Sequence, residues 1–183
     1  MNSESRSSHT RLRRSCTPFR AWEQCSEVAF VVDVFSRRIL RWRAMMTTKA
    51  TPLASGALER ALFTRRRSDF AFTATGLVHH SDAGSQYTSL VFTEALIESG
   101  LAGSIGGVGD ALDNALMEST IGLYKTELID RQKSWIGRAE VERETASLVH
   151  WFNTNRLHSS ISYNSPVDYE FTGPDDFNRQ LAA

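Results

Sequence analysis

Residues Val28-Ala29-Phe30-Val31-Val32 form an unbroken apolar run. A run of this kind reads as a strand buried on both faces, and such a strand needs a layer of structure on each side. Asp33 to Arg37 follow as a turn, with Asp33 expected to order it by bonding nearby backbone. Ile39-Leu40-x-Trp42-x-Ala44 then continues with β-favouring residues, completing a hairpin. Such a strand suits an α/β fold.

The helices of those layers are legible. Thr51-Pro52 opens one, with an N-cap threonine and proline at the first helical position. Leu53, Ala57, Leu58, Ala61 and Leu62 form its apolar stripe. Arg65-Arg66-Arg67 close it and read as a solvated run that suits the helix dipole, with a phosphate contact as the alternative. A helix capped by Thr88 or Ser89 runs to Ser99 and stops at Gly100. Residues 101–105 make a short strand. Gly106-Gly107-Val108-Gly109 is a loop that lacks the spacing of a dinucleotide fingerprint. A helix starts at Asp110, and a long amphipathic one runs from Arg138 to Arg156.

Two carboxylates stand out. Asp82 follows the short apolar run Gly76-Leu77-Val78-His79-His80, where a buried strand ends and a loop begins. Glu118 lies in the helical pattern, and Ala111, Asn114, Ala115, Glu118, Gly122 and Lys125 share one face at spacings of three and four. A face with a carboxylate, small residues and a lysine is poor core and a reasonable surface for metal and phosphate. Taken singly, Asp82 reads as a turn residue and Glu118 as a solvated helix position. His80, two before Asp82, projects on the same side and is placed to hydrogen-bond that carboxylate; taken singly it is a packed strand-end histidine.

The motifs together change the weighting. His79-His80-Ser81-Asp82-Ala83-Gly84-Ser85-Gln86-Tyr87-Thr88-Ser89, Gly109-Asp110-Ala111-Leu112-Asp113-Asn114-Ala115 and Glu118-Ser119 resemble the catalytic core of the integrase-type DDE transposases of bacterial insertion sequences, relatives of the retroviral integrases. From Asp82 to Glu118 is 118 − 82 = 36 positions, leaving 35 residues between, which is that family's spacing. Trp151-Phe152-Asn153, Arg156, His158-Ser159-Ser160 and Ser165-Pro166 resemble its C-terminal signature. The resemblance implies a ribonuclease H-like fold, a mixed sheet flanked by helices on both faces, over residues 26–170, with a tail over 171–183. It implies transposition: hydrolysis of phosphodiesters at element ends and strand transfer to target DNA, with Mg²⁺ or Mn²⁺ as cofactor. Asp82 and Glu118 become the catalytic carboxylates and metal ligands. Lys125, Gly84, Ser85 and Gln86 become DNA contacts, with His80 and Asn114 in support. DNA and further copies of the chain are the implied partners. The C-terminal signature argues against a nuclease of RNA–DNA hybrids.

One part departs from the family. Its first catalytic Asp lies on the strand before the hairpin, about 18 residues before Asp33, where this chain has Ser15. No Asp or Glu occurs between Glu4 and Glu23. Residues 1–25, rich in Ser and Arg, are expected to be unstructured, or to act as a basic arm on DNA phosphates. Against the resemblance they read as a truncated or frameshifted N-terminus. The alternative function is then an inactive remnant that binds DNA or other subunits.

Composition sets the outer bounds. At 183 residues the chain suits one domain. Lys and Arg number 21, as do Asp and Glu, which excludes a histone-like binder but not a local basic face. Cys16 and Cys25 make no disulfide framework. No signal peptide or membrane-length apolar run is visible, so a cytoplasmic protein with no membrane partner is expected.

Overall fold

A computed structural model describes residues 7–14, 27–45, 50–68, 70, 72–81, 90–105, 110–131, 135 and 137–172. Its strands are β1 (Ser7–Arg14), β2 (Glu27–Asp33), β3 (Ile39–Met45), β4 (Val78–Ser81) and β5 (Ala102–Ile105). Its helices are α1 (Ala50–Ser68), α2 (Leu90–Glu98), α3 (Asp110–Tyr124) and α4 (Arg138–Thr154). The strands form one sheet in the order β3-β2-β1-β4-β5. β1 to β3 pair antiparallel, while β4 pairs parallel with both β1 and β5.

The apolar run in β2 does what its pattern requires. Ala29 and Val31 pack into one cluster with Ala54, Leu58, Ala61, Phe92 and Leu96 of α1 and α2. Val28, Phe30 and Val32 pack into a second cluster with Leu116, Met117, Ile121 and Phe152 of α3 and α4. The Phe30 ring meets Tyr124 edge-on, with centroids 5.2 Å apart. The sheet is thus covered on both faces, and the α/β expectation holds.

Gly100 ends α2 in the left-handed region, at φ 74°. Its N–H donates to Ile97 O at 3.0 Å and the Leu101 N–H donates to Leu96 O at 3.0 Å. This pair of bonds closes the helix and turns the chain into β5.

The N-terminal segment corrects the sequence expectation over part of its length. Residues 1–25 were expected to be unstructured, yet Ser7–Arg14 form the central strand of the sheet. The physical reason is that a central strand has both rows of backbone groups satisfied by neighbours. Pairing with β2 on one side and β4 on the other supplies what SSHTRLRR lacks in its own composition. An open edge beside β2, the consequence of a missing first strand, does not arise. The rest of that segment lies outside the described residues.

The C-terminal lobe is tied down by specific polar bonds. Asn153 brackets β3: its Oδ1 accepts from Ile39 N and its Nδ2 donates to Ile39 O, both at 2.9 Å. Ser165 Oγ accepts the Asp168 N–H at 3.2 Å and so caps a short helix over 166–172, with Pro166 opening it. Glu170 from this helix closes a partly buried ionic cluster with Ser36, Arg38, Asp33 and Arg65.

Candidate active site

Glu118 sits on the outer face of α3. Leu116, Met117, Thr120, Ile121 and Tyr124 of that helix are buried, whereas Ala115 and Glu118 are exposed and Gly122 and Lys125 half-buried. The shared face read from the spacing is therefore the unburied one. At Lys125 the helix widens into a π turn, Lys125–Ile129, closed by the Asp130 N–H donating to Lys125 O at 2.8 Å. Widened turns of this kind are found frequently at functional sites. Asn114 lies within α3.

α3 lies against β1 as well as β2. In β1, positions 9, 11 and 13 pair in register with Val32, Phe30 and Val28 of β2. His9 is also level with His80 of β4. His80 is half-buried in that strand, and Asp82 follows the last residue of β4 in sequence. Asp82, Gly84, Ser85 and Gln86 lie outside the described residues.

β1 contains Ser, His, Thr, Arg and Leu but no acid. Among the described residues no three His, Cys, Asp or Glu side chains stand close enough to hold a metal ion. The described residues thus do not make a complete metal centre. Glu118 is an exposed carboxylate of α3, and the sequence of β1 carries no acid.

A scan of family models matches the integrase core domain twice, over residues 15–111, just over half the chain, and over 99–166. The chain belongs to the integrase core domain family. The first match begins directly after β1 ends. Curated relatives agree. The chain is 44% identical over 149 residues to a putative transposase for insertion sequence element IS986/IS6110 of Mycobacterium tuberculosis, covering 81% of this chain and 53% of the relative. It is 45% identical over 149 residues to the transposase for insertion sequence element IS629 of Shigella sonnei, covering 81% of this chain and 47% of the relative. The chain therefore spans about half the length of the curated relatives it matches. Among solved structures, the HTLV-2 integrase catalytic core domain, described in complex with magnesium, superposes with a TM-score of 0.60 at 13% identity, covering 90% of this chain and 95% of that one. The catalytic core domain of BIV integrase gives 0.59 at 15% identity, covering 94% and 97%. At such identities the likeness speaks for the fold, which is the ribonuclease H-like architecture expected from the motifs.

A basic run read one way from sequence does something else in this integrase core. The run Arg65-Arg66-Arg67 does not act as one solvated patch. Arg66 and Arg67 are exposed, but Arg65 is drawn inward to Asp33 and Glu170. Burial alone would lower the affinity of its guanidinium for the proton, and the two carboxylates outweigh it and raise it. Glu170 is the last residue of the stretch assigned to the core from the motifs. Burial would raise its pKa, but Arg65, Ser36 and Arg38 hold it below the usual carboxylate range. Ser36 Oγ donates to Glu170 at 2.7 Å and Arg38 at 2.6 Å. A lone Glu far along the chain carries no local signal of such a partner. Among the described residues no helix is long and apolar enough to cross a membrane.

Proposed function

We propose that this chain is the catalytic-core portion of an insertion-sequence transposase, acting on DNA by phosphodiester hydrolysis and strand transfer at element ends. The observation that carries this reading is the 44% identity to a transposase along 149 residues. The fold supports it by presenting Glu118 on the unburied face of a helix laid against the central strand. Asp82 and Glu118 are the carboxylates of the reading, and Mg²⁺ or Mn²⁺ between them would neutralise charge on the scissile phosphate. Lys125, one heptad beyond Glu118 and half-buried, steadies the DNA backbone. The loop of Gly84, Ser85 and Gln86 brings backbone close to the DNA, with His80 and Asn114 supporting the carboxylates. DNA ends and target are the substrates, and a second copy of the chain is the expected partner.

A second reading has its own observation. β1 presents no carboxylate, and a phosphoryl-transfer site short of one acidic ligand loses roughly a thousandfold or more in rate. On this reading the chain binds DNA or other transposase subunits without cutting.

One assay separates the two. The chain is incubated with a labelled duplex in Mg²⁺ or Mn²⁺, beside Arg11→Asp and Glu118→Gln. Position 11 pairs with Phe30 in the central strand, so aspartate there places an acid in that strand. Cutting by the unaltered chain that Glu118→Gln abolishes supports the active transposase. Cutting only by Arg11→Asp supports the crippled one. Cutting by neither supports the reading that the chain binds without cutting and counts against the active transposase, while cutting that survives Glu118→Gln overturns the carboxylate assignment.

A further inference from the structure

On the opposite sheet face from α3, a cavity of about 580 Å³ opens between β3 and α1. Arg41, Arg60, Phe63, Thr64 and Arg67 line it. β3 is the edge strand, so the cavity lies at the rim of the sheet.

Local structure explains why these side chains converge. β2 and β3 slip register at Val31 and Val32: Arg41 is opposite Val31, whereas Ile39 is opposite Val32. Leu40 is thus an extra residue. Bulges re-aim side chains at sheet edges. Here Leu40 is buried in the α1 cluster, and Arg41 stands opposite Val31 of that same cluster. From α1, Arg60, Phe63, Thr64 and Arg67 follow at helical spacing. Gly56 continues the stripe one turn earlier, and Arg43 lies where a β-carbon on it would stand.

The chemistry of the lining is one-sided. Among the described residues, three guanidinium groups, an aromatic ring and a hydroxyl line the cavity, and no carboxylate does. Arg41 Nε is buried without a hydrogen-bond partner. A buried donor on a charged group left unpaired is costly, and an anion in the cavity would satisfy it. A concave wall of one charge also focuses potential toward such an anion. Yet the site is more than an anion hole. Phe63 leaves 64% of its surface exposed beside the guanidinium groups, and aromatic faces among arginines bind bases by stacking. The volume lies in the range of small-ligand sites and has room for a nucleotide.

We propose that this cavity is a second nucleic-acid site, which takes one unpaired nucleotide of a single DNA strand with its phosphates on Arg41, Arg60 and Arg67 and its base on Phe63. It rests on the reading that the chain acts on DNA, and adds to it a surface on the far side of the sheet from Glu118. A strand held there is kept away from the carboxylates.

The test is fluorescence anisotropy on the full chain, with a labelled single strand and the matching duplex, at several salt concentrations. Phe63→Ala is expected to weaken single-strand binding about tenfold and leave duplex binding unchanged. Arg60→Ala with Arg67→Ala is expected to lower the slope of log affinity on log salt by about 1.4 for the single strand. Both arginines are exposed, and an unchanged thermal transition verifies that the variants fold. Single-strand affinity unchanged in both variants overturns the site. So does inorganic phosphate displacing the strand while Phe63→Ala has no effect, which marks a plain anion site. An equal loss for duplex and single strand also overturns it. DNA cutting is scored separately, so Phe63-dependent binding without cutting counts against the proposed function and leaves this site standing.

Discussion

Asp33 shows how one side chain is divided between local and distant duties. Its Oδ1 accepts the backbone N–H groups of Phe35 at 2.8 Å and Ser36 at 3.1 Å, the turn-ordering role expected from sequence. Its Oδ2 takes the Arg65 guanidinium, which also reaches Glu170. The pairing is buried, with side-chain exposures of 11% for Arg65 and 6% for Asp33, so losing one partner strands a charge. Arg65→Ala is therefore expected to destabilise the chain by about 3–5 kcal/mol, read as a shift of the urea midpoint. Arg66→Ala, on the exposed neighbour, is expected to change little. The contrast distinguishes a structural arginine from a solvated one inside a single run of three.

At the scale of elements, the sheet depends on two pieces that composition undervalues. The first is β1. Proline in a central strand removes a ladder hydrogen bond and is confined in sheets to edges, strand starts and bulges. Thr10→Pro, opposite Val31, is expected to abolish the cooperative thermal transition or lower it steeply. If the transition is unmoved, Ser7–Arg14 do not belong to the sheet. The second is the junction of α4 with β3. Asn153→Ala removes both of its bonds to Ile39 and is expected to cost about 2 kcal/mol, seen as a lower Tm. Phe152, one residue earlier, anchors the same junction from the core and meets the His158 ring edge-on, with centroids 4.8 Å apart.

For the whole molecule, acid is the informative stress. His158 is held neutral: burial, with Arg156 and Arg37 adding repulsion, pushes its pKa down from 6.5 to about 4. The unfolded chain binds that proton below about pH 6.5 and the folded one does not until about pH 4, so stability falls as pH drops through that window. Glu170, depressed by its arginine partners, contributes stability that is present above the ordinary carboxylate range and is lost as pH falls through its folded value. The two effects share a sign. Tm measured from pH 7 downward is expected to decline from about pH 6.5 and fall further below the carboxylate range. His158→Gln is expected to flatten the upper part of that decline and leave the lower part, which belongs to Glu170.

The sequence by itself determined the layers and the chemistry on offer. Alternation and apolar runs marked β2, β3, β4 and β5, because a buried strand is written in its own side chains. Helix spacing placed Glu118 on the unburied face of α3, because a period of 3.6 is a local property. The 35-residue gap to Asp82 tied those residues to the integrase core, and the absence of any acid from residues 5 to 22 was plain on reading. What tertiary structure decided is what depends on neighbours distant in sequence. β1 is a strand because two others pair with it, not because SSHTRLRR favours one. Arg65 is structural because a turn and a C-terminal helix both present carboxylates to it. Arg41 meets Arg60 and Arg67 because one residue of β3 is bulged out of register. Side-chain pattern is local and can be read along the chain, while partnership across a sheet or between lobes exists only after the chain has closed on itself.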